Sequence, residues 1–542
     1  MIQKTRFMPP ASGRGARERE IPIGVAGGLH AGVPSQSVQV GFSPALQNFV
    51  PVGGAITPRS AISSYNSAMG GPVLGAFESF DDNGSALGVA ISATSVNVFY
   101  RSNQAWSRMS YVAGSNSAWS NFWGDISANS LGYFRGVTVY DPGFNDTIFV
   151  FSNYSNSLKY FRTPSGTVTY SDFTWPASID TTVGAFDVTA INNRLVLFNT
   201  LRRNHASDST VPYVTRVMWS ARGNPRSFLV ADGAGAEDLM EMKGAGQAAI
   251  AWQDILLLFT SQEIWRGTPT LDDYAFRFDL GVGDMGTPFP RTIATTPLGV
   301  VFLGQDFEVY LTDGASVTAL GPTQGSPSRI QTKLKNEIVL AYRAWGEYNV
   351  ATNRYALYYS VAGSPGGFPS RALEYDFATQ TWWPQSFSHG FSAGAERLDY
   401  SGQEALQLFN HSSDTKRAMD VYDSAGSAFV MSSAKTNDFG SAIDARWRSP
   451  GLKNAMRKGH LKEIWIDTEA DSASSASVFL GSARSGSVFT AEREVALTTA
   501  NDPIFVPCWT TDNAPAFEVR IADGGRPRIA AFSATVEDAS KF

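Results

Sequence analysis

The chain has 542 residues, more than one compact core usually serves, and its 43% hydrophobic and 12% aromatic side chains exclude a disordered polypeptide. Only 17% of residues are charged, alongside 50 Gly and 27 Pro, a profile of many short strands joined by turns and not of long charged helices. The formal charge of −6 gives no basis for tight duplex binding through phosphate neutralisation, and a single cysteine, Cys508, excludes an intrachain disulfide or a cysteine-held metal cluster.

Residues 1–72 are rich in Gly, Pro, Ser and Ala without sustained periodicity. They predict an extended N-terminal arm with one strand at 37–42, which either packs on a neighbouring molecule or is a tail disordered in isolation. Lys4, Arg6, Arg14, Arg17 and Arg19 are followed by no apolar run, so the first twenty residues do not read as a secretory signal. No stretch elsewhere has the length and purity of a membrane span.

From Val73 the texture changes to short β-branched and aromatic runs separated by turn signals. Val89, Ile91, Val96, Val98 and Tyr100 alternate as in strands with one buried face. Strands are predicted at 148–151 and 158–161, then at 195–198 after the Asn192-Asn193 turn. The middle of the chain adds strands at 255–259, 263–266, 300–303, 308–311, 316–320, 354–359 and 371–377, the last running on to Trp382 and Trp383. Such meanders recur about every forty residues, the spacing of propeller blades. One segment, 328–345, places Ile330, Leu334, Ile338 and Tyr342 at helical spacing and predicts an amphipathic helix of about four turns.

After about residue 427 at least seven further strands are expected, at 431–449, 460–468, 476–480, 488–495, 504–509, 517–521 and 529–536. The reading is therefore an all-β chain: an arm over 1–72, a β-propeller-like body over 73–426 and a β-sandwich-like domain over 427–542. A series of sandwiches would give similar strand density. Cys508 reads as a small buried apolar residue near the end of that last domain.

Two motifs suggest chemistry and both lack the context it needs. Gly281-Val282-Gly283-Asp284-Met285-Gly286 matches a dinucleotide pattern, which requires a helix opening at the last glycines. Pro288 and Pro290 come directly after it and push the preceding residues out of helical geometry. Gly390-Phe391-Ser392-Ala393-Gly394 matches a nucleophile elbow, with Asp414 and His460 downstream in hydrolase order. No alternation of strands and helices surrounds it, so Ser392 is expected in a β-turn. His30, His205, His389, His411 and His460 show no zinc spacing. Asp81-Asp82-Asn83-Gly84 lacks the later ligands of a calcium loop and reads as a hairpin turn. Carbohydrate-cleaving propellers need a carboxylate pair, for which Glu78 with Asp81, Glu237 with Asp238, or Asp272 with Asp273 are candidates that a single sequence does not rank.

Arg216-Val217-Met218-Trp219-Ser220, followed by Gly223-Asn224-Pro225 and Phe228, resembles a signature of tail hub or nozzle proteins of short-tailed bacteriophages. The order downstream is similar to that family's: a strand-turn-strand unit at 244–266, a Gly-rich corner at 280–290, the next blade at 299–319, a short helix at 328–345 and a terminal β domain at 462–538. The arm has no counterpart. The resemblance implies a β-propeller subunit of a hexameric ring in the virion tail, assembled in the host cytoplasm beneath portal and adaptor. It also implies docking sites for tail fibres or tailspikes, and a lumen through which DNA passes without sequence-specific binding. A mildly acidic wall is compatible with such passage. The exposed aromatic corners Trp119, Phe122, Trp123, Trp382 and Trp383 are candidates for subunit contacts, with blade cores as the plainer expectation for each. The expectation is a structural protein with no cofactor, metal or catalytic residue. The alternatives are a receptor-binding or polysaccharide-cleaving propeller at the tail tip, and an adhesin module, which would need an export signal.

Overall fold

The structure is a computed structural model. It describes residues 18–538 other than 32, 34–36, 60–62, 69–71, 81–85, 93–95, 101–104, 109–132, 155–157, 163–168, 174–180, 205–209, 271–274, 322–327, 351, 399–403, 411–416, 421–436, 439–440, 453–458, 470–473, 484–488, 498–503, 513 and 524–526. The chain divides into two compact units, Ser60–Gly440 and the pair of segments Met1–Arg59 and Ser441–Phe542.

The first unit is a β-propeller of seven antiparallel sheets among the described residues. The first strands of blades 1 to 7 are Val73–Phe80, Arg135–Asp141, Thr181–Ile191, Gly246–Trp252, Ala294–Thr296, Trp345–Asn349 and Phe391–Leu398, a wider and less even spacing than the forty residues expected. These strands stand side by side around a common axis, blade 7 against blade 1. The ring is closed by the chain's own beginning: Ser63–Ala68 is the fourth strand of blade 7, with Met419 opposite Ser64.

Local turn chemistry builds the hairpins. Asn192 and Asn193 both take positive φ, 52° and 55°, and join Ile191 to Arg194 in the two-residue turn whose twist matches paired strands. The apolar runs have a different cause from the one-faced strands expected. Each blade is buried on both faces, so its second strand alternates between two neighbours rather than between core and solvent. In blade 3, Leu195 and Leu197 pack toward blade 2 while Val196 and Phe198 pack toward blade 4. In blade 4, Leu256 and Leu258 face blade 3, and Leu257 and Phe259 face blade 5. A sheet sandwiched this way reads as a continuous hydrophobic run.

The helix of 328–345 is shorter than its periodicity predicts. Only Gln331–Glu337 is α-helical, with Ile330 and Leu334 buried as expected. β-branched Ile338 is extended and pairs, with Val339, to Val361 and Ser360, which ends the helix, and Leu340 then turns left-handed at φ 50°. Trp382 and Trp383 are fully buried: Trp382 packs on Tyr375 and donates its indole N–H to the Leu320 carbonyl of blade 5 at 3.2 Å. They are therefore blade core, not contact corners. Trp119, Phe122 and Trp123 lie outside the described residues.

The second unit has two stacked sheets. One runs 49–52, 55–58, 528–538, 459–469 and 504–512 in spatial order, with Glu18–Gly24 also paired to Arg528–Asp538; the other runs 46–47, 445–448, 515–521, 474–482 and 490–497. Trp447 and Phe517 of the second sheet meet Phe532 of the first at ring separations of 4.7 and 5.5 Å. Strand Ser474–Ser482 alternates strictly between buried and half-buried residues, the pattern of a sandwich face.

The arm is accordingly corrected. Its described residues up to Arg59 are built into this sandwich, where Ile23 pairs opposite Phe532 and completes the sheet, and Ser63–Ala68 is built into blade 7. No strand forms at 37–42; the strands are Leu46–Gln47, Phe49–Val52 and Ala55–Pro58 instead. Cys508 is buried, as read from the sequence.

Candidate functional site

The sequence candidates do not converge. Ser392 is the bulged second residue of strand Phe391–Leu398, 0% exposed, with its hydroxyl donated to the Phe409 carbonyl at 3.2 Å. It sits in a strand and not in the turn expected. His460 belongs to the sandwich unit and Asp414 lies outside the described residues. Replacing Ser392 by Ala should lower stability by roughly 0.5–1.5 kcal/mol, one buried hydrogen bond, in urea unfolding. Ester hydrolysis by the purified chain should be unaltered.

Gly281 and Gly286 serve close packing. A Cβ on Gly281 would lie 2.4 Å from the Gly314 carbonyl oxygen, and one on Gly286 2.4 Å from that of Thr260. The next element is the single turn Pro290–Thr292, with no helix N-terminus for a pyrophosphate. His30 stands edge-on to Phe42, and His389 Nδ1 lies 2.8 Å from the Ser388 hydroxyl. Among the described residues no three His, Cys, Asp or Glu side chains gather as metal ligands. Asp238 is held below the usual carboxylate range by a two-pronged bond from Arg216, both contacts 2.7 Å. His205, His411, 81–84, Asp272 and Asp273 lie outside the described residues.

The concave feature with convergent polar groups is the propeller's axial channel, which no motif announced. Its larger cavity, about 540 Å³, is lined by the first strands of blades 1, 2, 4, 5, 6 and 7 and carries the carboxylates Glu78 and Glu347. A smaller cavity of about 360 Å³ opens where the first strands of blades 2 to 5 begin. Arg135 and Arg291 line both.

Arg291 follows Pro290 at the entry to blade 5, and the fixed proline φ together with the turn aims its side chain inward. One guanidinium nitrogen, Nη2, donates to the Ser392 carbonyl at 2.7 Å, and the group lies 3.7 Å over the Tyr133 ring. Nη1 is enclosed and makes no hydrogen bond. The guanidinium is deeply enclosed by protein, while the residue as a whole is half-buried. That burial, offset in part by the Tyr133 phenol and reinforced by the like charge of Arg135, pushes its pKa down to about 10, which leaves it a cation at neutral pH.

Arg135 approaches one carboxylate, Asp187, at 3.8 Å. Both Asp187 oxygens accept backbone N–H groups, from Val188 and from Ala249, each at 2.9 Å. Burial nevertheless raises the Asp187 pKa, and Arg135 offsets this only in part. A carboxylate with a raised folded-state value binds its proton more tightly in the native chain than in the unfolded one, so its contribution to stability is greatest below about pH 4 and declines as pH rises through the raised value. Urea midpoints measured between pH 4 and 7 should fall less steeply in Asp187→Asn than in the parent; parallel curves would contradict this.

No family model and no curated protein matches this chain. Among solved structures it is similar to BBS1N in complex with ARL6DN, at 9% identity and a TM-score of 0.38, over 67% of this chain and 96% of that one. It is also similar to YCF48 bound to D1 peptide, at 9% and 0.37 over 67% and 96%, and to an exo-β-1,3-galactanase from Phanerochaete chrysosporium with β-1,3-galactotriose, at 8% and 0.24 over 74% and 99%. The propeller assignment rests on the closed ring of sheets itself.

Proposed function

We propose that the chain is a structural subunit of the tail hub or nozzle of a short-tailed bacteriophage, working in a ring below portal and adaptor. The observation that carries the reading is the order of the family-like segments along consecutive blades. The Trp219-Ser220 signature ends the third strand of blade 3, 244–266 spans the start of blade 4, 299–319 supplies the last three strands of blade 5, and the short helix Gln331–Glu337 precedes blade 6.

A ring subunit needs a stiff body with surfaces for its copies. The closed propeller supplies stiffness, and the outer edge of blade 3 leaves Val230 81% and Met240 85% exposed, apolar side chains suited to a lateral contact with another copy. Adaptor and tail fibres or tailspikes would hold other faces, and DNA would pass through the lumen of the ring. Among the described residues no helix is long and apolar enough to cross a membrane.

Imaging of intact particles with a tag or antibody on this chain tests the proposal. The expected result is six copies per tail at the level below the adaptor. A chain found in infected cells but missing from purified particles would overturn it. The alternative, a receptor-binding or polysaccharide-cleaving propeller at the tail tip, would draw on Glu78 and Glu347 in the larger cavity. It requires reducing sugar released from host polysaccharide and abolished by Glu347→Gln; the structural reading expects no release.

A further inference from the structure

We propose that the smaller axial cavity is a binding site for a sugar acid, whose carboxylate meets Arg135 and Arg291 and whose hydroxyl groups reach Asn199. This goes beyond the tail reading and holds whether or not the chain sits in a ring.

The charge argument comes first. Among the described residues two guanidiniums and no carboxylate line the smaller cavity; the remaining polar lining is amide and phenol. Asp187, 3.8 Å from Arg135, already accepts two backbone N–H groups, and Glu78 and Glu347 line the larger cavity and not this one. The cavity therefore keeps an excess of positive charge in a low-dielectric setting, where an entering anion is held far more strongly than on the surface. Arg291 Nη1 is enclosed without a hydrogen-bond partner, and a charged donor left unmade inside protein is costly. Guanidinium groups present paired donors that match a carboxylate.

The acceptor argument is independent. Asn199 is 4% exposed, lines the same cavity, and donates its Nδ2 to the Gly246 carbonyl at 2.7 Å. That bond fixes the amide orientation and leaves Oδ1, which has no partner, to accept. A simple carboxylate carries nothing to donate, whereas a sugar acid carries hydroxyls beside its carboxylate. Tyr133, Tyr154 and Phe186 add ring faces against which the C–H surface of a sugar packs, and about 360 Å³ accommodates a small ligand. A modest shift of the enclosing side chains is needed for both unpartnered atoms to be reached.

Calorimetric titration of the full chain with sodium glucuronate, glucose, acetate and inorganic phosphate tests this. Saturable binding of glucuronate is expected, with no binding of glucose. Arg291→Gln should weaken glucuronate about tenfold or more. Asn199→Gly, which tolerates the positive φ at that position, should weaken glucuronate while leaving any residual acetate binding unchanged. Arg135→Gln supplies the same readout should the Arg291 variant fail to fold. Absence of saturable glucuronate binding overturns the proposal, as does full affinity in folded Arg291→Gln and Arg135→Gln. Acetate or phosphate binding as tightly as glucuronate overturns the sugar part and leaves a bare anion site.

Discussion

A fragment comprising residues 441–542 will not fold alone, although it contains most of the strands of its sandwich. Ile23, Val25, Leu29, Leu46, Phe49 and Ile56 are all buried, and all come from the first 59 residues of the chain. At roughly 1.5–3 kcal/mol for each large buried side chain, their removal forfeits on the order of 10 kcal/mol, as much as the whole stability of a typical domain. Polar ties go with them: the Ser43 hydroxyl donates to the Arg448 carbonyl and the Asn48 amide to the Asp444 carbonyl, each at 2.8 Å. The strand Arg528–Asp538 also loses its neighbour Glu18–Gly24 and gains an open edge. Circular dichroism in urea should show no cooperative transition for 441–542, and addition of a peptide covering 18–59 should restore one. Cooperative unfolding of the fragment by itself would refute the assignment of the N-terminal segment to this unit.

The second large effect concerns ring closure. Residues 60–440 should fold as a unit, whereas 73–440, which lacks Ser63–Ala68, should be strongly destabilised. The deletion takes the outer strand from blade 7 and unpairs Arg417, Met419 and Asp420 along one edge. Each ladder hydrogen bond contributes about 0.5–1.5 kcal/mol, so several lost together amount to a few kcal/mol. The larger consequence is topological: with closure, the last blade is tied to the first by a chain that belongs to both, and without it blade 7 is free to fray from blade 1. Thermal melts should show a fall in midpoint and aggregation through the exposed edge. Equal midpoints for the two fragments would mean that closure contributes nothing.

Both effects turn on pairings that no window of sequence displays, which also explains how the candidate site escaped notice. Arg135, Arg291 and Asn199 sit in three different blades, each in an ordinary local context, and become neighbours only because seven first strands surround one axis. Glu347 likewise meets the cavity of Glu78 from blade 6. The one local hint was a charged residue between Pro290 and an apolar strand, a signal common in any turn-rich chain. Ser392, Gly281 and Gly286 illustrate the converse: letters that match a motif, placed where strand geometry and close backbone contacts account for them.

What the residues determined by themselves was everything governed by short-range geometry. The Asn192-Asn193 hairpin, the strand runs around 255–259 and 300–303, the alternation in 476–480 and the burial of Cys508 arise from φ preferences and side-chain periodicity, which act within a few residues. Tertiary structure alone decided that the helix after Ser328 stops at Glu337, because Ile338 and Val339 find strand partners in Ser360 and Val361. It alone decided that the segment beginning at Glu18 completes a sheet with residues near the opposite end of the chain, and that Ser63–Ala68 closes the propeller. Pairing between strands hundreds of residues apart depends on which edges are left open once the hairpins have formed, and that is a property of the assembled sheets.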